Sequence, residues 1–477
     1  MFNNNIMNTF FMHKIKFNNK TLDRYQTRAV LCNKKRYLVV AAAGSGKTFT
    51  IASKINYLVN NLNVKDSSIL CISFTNNSVN DMKRVFDSNN LHIDVMTYHK
   101  LAMYILKNVN YKITNGYVLE YYVSEYFSSF IYDDKLDKLF NDYINEESIN
   151  IEYLKKSIIS FINTVKAYGK DITYIYDLIH KDIPYNDKLL LTIVYKIFYL
   201  YEEELKSSRL YDFNDLIIKA SKRVKYLKYF KYKYIIIDEY QDTSIIRYNL
   251  INNLSLKFDL NIICVGDDFQ SIYKFNGSDI DLFVNFKKLF KESKILKLKY
   301  TYRNPKDVVS ISSRFIMKNY RQIKKRLISN NYIDKSINIV YYKDIYKAYI
   351  DTVKDIDNIL ILGRNNEDIN MIGDISYKNK NINYMTIHKS KGLEEDYVIV
   401  INLLNNKFPS NIKEYDIFKY IKSKDKYLYE EERRLFYVAI TRCKRKVFLF
   451  TKKGNESIFI KELIKDYKFK INIFNYD

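Results

Sequence analysis

Residues Ala41 to Thr48 read AAAGSGKT and follow directly on the apolar run in KKRYLVV. An apolar strand entering a glycine turn that ends in Gly-Lys-Thr fits the Walker A pattern [AG]xxxxGK[ST]. Backbone N–H groups of the turn wrap a phosphate, and a helix N-terminus follows. The chain has only 10 glycines in 477 residues, yet Gly44 and Gly46 both fall here. Glycine is needed where main chain must approach an anion with no Cβ in the way. The pattern predicts that Lys47 reaches the β/γ-phosphates and that the Thr48 hydroxyl binds Mg²⁺. It therefore fixes a strand-turn-helix start for a nucleotide-binding α/β domain.

A second signal, YIIIDEYQD, spans Tyr234 to Asp242. An apolar strand ends in two acids, which suits Asp238 to Mg²⁺ and Glu239 to polarising an attacking water. A third, VGDDFQSIYKFNGSD, spans Val265 to Asp279 and again follows a buried strand. It sets Gln270 to sense a γ-phosphate and places Tyr273 and Phe275 beside Lys274, as a base-stacking platform requires.

Short β-branched runs recur between amphipathic stretches: YLVVAAA, ILCIS, YIIID, NIICV and ILKLK, then INIVY, NILIL, YMTI, YVIVIN and KVFLFT. Buried runs of this length alternating with helical text predict parallel-sheet α/β domains, two of them. Between about Lys107 and Arg209 the text becomes tyrosine-rich and helical without strand runs, which predicts a helical insertion.

The net charge of +24 favours a polyanionic partner. That inference is discounted, because abundant Lys, Asn, Ile, Tyr and Phe are also what A+T-rich coding produces. Cys32, Cys71, Cys264 and Cys443 stand far apart with no CxxC, which points to no metal cluster and no disulfide framework. No apolar run approaches the roughly 18 residues that span a bilayer, and the first 20 residues lack a secretory core. The expectation is a soluble cytoplasmic protein of a bacterium or a viral host, with an organelle as the alternative, and no membrane partner.

AAAGSGKT, DEYQD and GDDFQSIY, in this order, resemble motifs I, II and III of superfamily 1 helicases of the UvrD/Rep type. LDRYQTRAV resembles the Q motif, where the resemblance assigns Gln26 to adenine. ILCISFTNNSVNDMKRV resembles motif Ia, with Phe74, Thr75 and Asn76 at DNA-contacting positions. VMTYHKLA resembles motif Ib through Thr97 and His99. LKYTYRNP resembles motif IV, where Tyr302 would stack on adenine and Arg303 contact the γ-phosphate. MTIHKSKGLEEDYVIV resembles motif V, with Thr386, His388, Lys391 and Gly392 near DNA and Glu394 near the ribose. EEERRLFYVAITRCKRKV resembles motif VI, with Arg442 as a second arginine finger.

The resemblance implies two RecA-like P-loop domains with parallel sheets. The first covers 1–106 and 210–292, interrupted by the helical insertion at 107–209; the second covers 293–477. ATP and Mg²⁺ would lie between them. The implied catalytic set is Lys47, Glu239, Gln270, Arg303 and Arg442, and the metal set is Thr48 and Asp238. Ala43, Gly44, Ser45, Gly46 and Phe49 join Gln26, Lys47, Thr48, Tyr302 and Glu394 around the nucleotide, while Tyr273 and Phe275 join the DNA-contacting set. The implied activity is ATP-driven 3′–5′ translocation along single-stranded DNA and unwinding at single/double-strand junctions. The alternatives are an RNA-directed relative, a nucleic-acid-stimulated ATPase that does not unwind, and a switch ATPase with no polynucleotide. A regulatory protein partner is left open.

The chain departs from the family pattern in four places. Phe49 replaces an arginine, Phe275 a tryptophan and Asn276 an arginine, and Glu395-Asp396 stands where an apolar residue is usual. Only about 22 residues separate Arg364 from Thr386, which is far short of a domain. The family's second inserted domain is therefore expected to be absent, and no fused nuclease or long partner-binding tail is expected after ESIFIKELI.

Overall fold

The short β-branched runs form ten of the twelve strands of two six-stranded sheets, parallel throughout. The computed structural model describes residues 15–128, 135–146, 149–372, 380–410, 415–422 and 427–476. The opening segment through residue 14, read above for a targeting sequence, lies outside them. In the first domain the strands are β1 (Arg36–Val40), β2 (Ile69–Ser73), β3 (Asp94–Thr97), β4 (Tyr234–Ile237), β5 (Asn261–Gly266) and β6 (Lys294–Lys297). Their order across the sheet is β6-β1-β5-β4-β2-β3. In the second domain β7 (Ile337–Tyr342), β8 (Ile359–Gly363), β9 (Ile382–Thr386), β10 (Glu395–Val400), β11 (Cys443–Thr451) and β12 (Asn472–Tyr476) lie in the order β9-β8-β10-β11-β7-β12.

Both faces of each sheet are covered, which is why the central strands read as continuous apolar runs rather than alternating ones. Along β1, Leu38 and Val40 enter one core while Tyr37 and Val39 enter the other. In the second sheet Leu360 and Leu362 of β8 face one core, and Ile359 and Ile361 the opposite one.

The boundary expected between 292 and 293 is corrected here. β6 pairs in parallel with β1, Lys294 opposite Tyr37, and so closes the first sheet beside the P-loop strand. The chain leaves that sheet only after Lys297. The reading in sequence order could not show that ILKLK returns to the earliest strand.

The tyrosine-rich stretch contains the helices Tyr117–Ser128, Lys135–Glu146, Ile151–Ala167, Ile172–Ile179 and Tyr185–Ser207. They share a core of their own and are bracketed by a parallel pairing of Lys112–Ile113 with Leu210–Tyr211. Ile417, Phe418 and Ile421, from the second domain, enter that same core. A buried polar knot anchors its root, where Lys166 Nζ meets Glu202 and Asp212 at 2.7 Å each and Asp215 at 3.0 Å.

The four cysteines are buried and unpaired. Among the described residues no helix is long and apolar enough to cross a membrane.

Candidate nucleotide and nucleic-acid site

The loops that carry the motifs leave the carboxyl ends of adjacent strands, where open α/β sheets place their ligand sites. β1 runs into the P-loop, β4 into Asp238 and Glu239, and β5 into Asp267 to Gln270. Gly44 and Gly46 have φ of +68° and +77°, and Gly46 caps the helix Lys47–Asn60. Gly44 is also a close-approach position. A Cβ there would collide with the side chain of Arg303 and would lie 2.9 Å from Thr301 Oγ1. Thr301 donates to the Ala43 carbonyl at 2.8 Å, and the Tyr302 N–H donates to the Gly44 carbonyl at 2.8 Å. The segment carrying Tyr302 and Arg303 is thereby laid along the P-loop.

A cleft of about 780 Å³ results. Its lining brings together every residue expected to serve the nucleotide: Gln26, the loop from Ala43 to Phe49, Asp238, Glu239, Gln270, Tyr302, Arg303, Glu394 and Arg442. Gly392, expected near DNA, lines this cleft as well. Lys47 Nζ pairs with Glu239 Oε1 at 2.8 Å. Burial disfavours both charges, but each stabilises the other, so Glu239 titrates below and Lys47 above its ordinary range. Asp238 moves the opposite way, because burial and the neighbouring Glu239 both raise it. Glu239 also adopts a left-handed backbone, φ 50° and ψ 42°, a conformation that costs free energy in a non-glycine residue. Gln241 holds it from behind, its Nε2 2.5 Å from Glu239 Oε2.

Asp238 is buried and its Oδ1 has no hydrogen-bond partner. Together with the Thr48 hydroxyl in the same lining, it offers few, hard oxygen donors, as Mg²⁺ prefers when phosphate and water complete its shell. Among the described residues no cluster of three or more His, Cys, Asp or Glu forms a separate metal site.

The two arginines enter from the far wall. Arg442 is fully buried and its Nη2 donates to Gln270 Oε1 at 3.0 Å. Arg303 Nε donates to Glu394 Oε2 at 2.5 Å. Gln26 turns toward the P-loop, donating to the Ser45 carbonyl at 3.3 Å, and forms a capping box with Asp23. Asp23 also accepts from the Tyr302 hydroxyl at 2.7 Å, tying the far wall to the near one. Phe49 lines the cleft and packs on Phe17, ring centroids 5.7 Å apart.

Four of the residues expected at DNA form an aromatic row across the domain boundary. Phe74 stacks on Tyr273 at 5.5 Å and 10°, Tyr273 meets Phe275 edge-on at 5.9 Å, and Phe275 meets His388 at 5.5 Å. Phe275 is 44% exposed, so the replacement of tryptophan leaves a usable ring. Thr75 and Asn76 are exposed beside Phe74 at the start of the helix Asn76–Asp87.

The remaining residues of that set lie outside the ring-to-ring contacts of the row. Thr97 is buried and caps the helix Tyr98–Ile105 with its hydroxyl, and His99 packs on Phe213 at 5.0 Å. Thr386 is buried at the end of β9. Lys391 lies beneath the row rather than on its open face. Its Nζ pairs with Asp242 Oδ2 at 2.5 Å, donates to the Gln270 carbonyl at 2.8 Å and lies 4.8 Å from the Tyr273 ring centroid. A lysine in a motif carries no mark of which acid it will meet across a domain boundary, and sequence reading therefore missed Asp242. Asp23 and Gln241 were missed for a similar reason, since a polar residue inside a motif carries no mark of which side chain it will hold. Glu395, the acidic departure, sits at the start of β10 beside a bulge, where its N–H bonds the Arg442 carbonyl.

A model of the UvrD/REP helicase N-terminal domain matches residues 22–291, and one of the UvrD-like helicase C-terminal domain matches 370–454. A protein of Rickettsia felis named probable DNA helicase II homolog is 31% identical over 67% of this chain and 48% of its own length. A probable DNA helicase of Mycoplasma pneumoniae is 27% identical over 90% of this chain and 83% of its own. DNA helicase IV of Escherichia coli is 26% identical over 93% of this chain and 70% of its own. The chain thus spans about half the length of the Rickettsia relative.

Proposed function

The chain belongs to the UvrD/REP helicase family, and from that premise we propose that it is an ATP-dependent DNA helicase that translocates 3′–5′ along single-stranded DNA. The observation that carries the reading is the joining of two features at one domain boundary. Arg442 and Arg303 complete a P-loop cleft from the opposite domain, and the same boundary is crossed by the row Phe74, Tyr273, Phe275 and His388. A change in how the two RecA-like domains close over a nucleotide therefore moves the members of the aromatic row relative to one another.

Within this reading Lys47 and the P-loop backbone bind the β- and γ-phosphates of ATP. Thr48 and Asp238 would hold Mg²⁺, which when bound would supply charge neutralisation at the phosphates. Glu239 orients and deprotonates the attacking water once its pairing with Lys47 gives way to the phosphates. Arg303 and Arg442 spread developing negative charge over two guanidinium groups, and Gln270 reports it to the row. Exposed rings stack on bases without regard to sequence, which suits a motor. The helical insertion at 107–209 flanks the track, and the short link from Arg364 to Thr386 carries no second inserted domain.

Steady-state Mg-ATPase with and without oligo-dT, together with unwinding of 3′- and 5′-tailed duplexes, tests the proposal. Strong stimulation by oligo-dT and unwinding from the 3′ tail are expected. Unwinding only from a 5′ tail would remove the polarity, and turnover indifferent to DNA would remove the motor.

A further inference from the structure

Lys325 stands outside every motif read from the sequence, yet its side chain is 0% exposed and its ammonium is surrounded by acceptors. It pairs with both Asp267 and Asp268, the latter at 2.8 Å, and donates to the Ala41 carbonyl at 2.9 Å, where β1 becomes the P-loop. The Phe269 ring centroid lies 3.8 Å away. An ammonium has three protons to donate, and here each has an acceptor in the first domain.

Asp267 passes this on. It accepts from Gln270 Nε2 at 2.6 Å and from the Phe269 N–H at 3.2 Å, while its own N–H donates to Gln241 Oε1 at 2.8 Å. An ionised carboxylate only accepts, so Asp267 fixes which end of the Gln270 amide faces it. The Gln270 Oε1 is left to accept from Arg442 at 3.0 Å. Without a cation, two adjacent buried carboxylates cannot both stay ionised at tolerable cost. Burial already pushes the Asp268 carboxyl up, against the pull of Lys325.

We propose that Lys325 is a positioning residue for ATP hydrolysis, acting through Asp267 to hold Gln270 in the orientation that receives Arg442. The inference rests on the functional reading above. It assigns Lys325 no contact with nucleotide, only control of the amide that links the two walls.

A double-mutant cycle on the full chain tests it. Lys325→Met combined with Asp268→Asn removes one cation and one buried carboxylate together. Asp267→Asn, which keeps size and shape but lets the side chain donate, gives a second route that spares the packing. Both are measured for kcat and KM with Mg-ATP and oligo-dT, in wild-type and Gln270→Ala backgrounds, and Lys325→Arg is measured alone. A misplaced catalytic group costs up to about 10²-fold; kcat is expected to fall by that order with KM nearly unchanged. In the Gln270→Ala background the further fall should vanish, and Lys325→Arg should recover part of the rate. Losses that multiply with that of Gln270→Ala, or a kcat that does not fall, would overturn the assignment. A wild-type chain that turns over no ATP would overturn the functional reading itself, and this inference with it.

Discussion

Arg442 and Gln270 come from different domains, yet the arginine Nη2 donates to the glutamine Oε1 at 3.0 Å with both side chains buried. Burial and the nearby Arg303 lower the Arg442 pKa to about 9, which still leaves it charged at neutral pH. Its Nε donates to the Val438 carbonyl and its Nη1 to that of Leu393, so three directed bonds fix the fork. Removing an arginine finger costs about 10³ to 10⁵ in rate. Arg442→Ala is expected to lower kcat on that scale while changing KM far less. Arg442→Lys should recover little, because a point charge cannot make three directed bonds. Steady-state ATPase kinetics check both.

Glu239 serves two partners in turn. In this structure it pairs with Lys47 at 2.8 Å, and binding of a phosphate must replace that pairing. Glu239→Gln is expected to abolish turnover while leaving nucleotide affinity equal or higher, because the competing carboxylate is gone. Equilibrium titration with a fluorescent ATP analogue, beside a turnover assay, checks this. Weaker nucleotide binding in the variant would mean that the ion pair prepares the site instead of competing for it.

Among the described residues, the expected strand runs became ten of the twelve strands of the two six-stranded sheets. The two that were missed, Asp94–Thr97 and Asn472–Tyr476, are both edge strands. An edge strand has one neighbour and partial cover, so its sequence carries less of the apolar continuity that marks a central one. The residues that line the cleft were legible because strand-turn chemistry fixes their spacing. Asp242, Gln241 and Lys325 were not, because their roles arise from partners more than a domain away in sequence or from burial.

The aromatic row makes a separate prediction for DNA affinity. Phe275 packs between the rings of Tyr273 and His388. Stacking of a base on an aromatic ring is worth about 1–3 kcal/mol. Phe275→Ala should weaken oligo-dT binding by about that amount and leave the slope of affinity against salt unchanged, since no phosphate contact is lost. Fluorescence anisotropy at several salt concentrations separates the two effects. Phe275→Trp should bind at least as tightly as wild type.

His388 sits at the end of this row, where burial, helped by Arg364 and Lys391, lowers its pKa to about 4. It is neutral at pH 7 and contacts the row as an uncharged ring. A group whose folded pKa lies below its unfolded value of about 6.5 contributes stability that is present above pH 6.5. That contribution is lost as pH falls from there toward 4. His388→Gln should therefore flatten the fall in melting temperature between pH 6.5 and pH 4, and calorimetry across that window checks it. DNA affinity should show no step near pH 6.5 that depends on His388.

The second domain also grips the helical insertion, at a distance from the nucleotide cleft. Phe418 meets Phe161 edge-on at 5.2 Å, Tyr415 stacks on Tyr153 at 5.7 Å, and Asp187 accepts from both Lys419 at 2.6 Å and the Tyr420 hydroxyl at 2.7 Å. The Tyr174 hydroxyl donates to the Tyr420 carbonyl at 2.5 Å. Because the insertion is rooted in the first domain through Lys166, this contact closes a loop of interactions that includes the cleft. Holding the domains together at one point favours their approach at another, and a typical coupling of that kind changes affinity by about 5- to 150-fold. Phe418→Ala, which removes a ring buried in the insertion's core, should raise KM for ATP toward the lower end of that range while kcat at saturating ATP persists. Hydrogen exchange should show faster exchange in 415–422 and in the helix Ile172–Ile179, with the P-loop helix unchanged in the absence of nucleotide. An unaltered KM with the same exchange pattern would mean that the contact stiffens the insertion without favouring closure of the cleft.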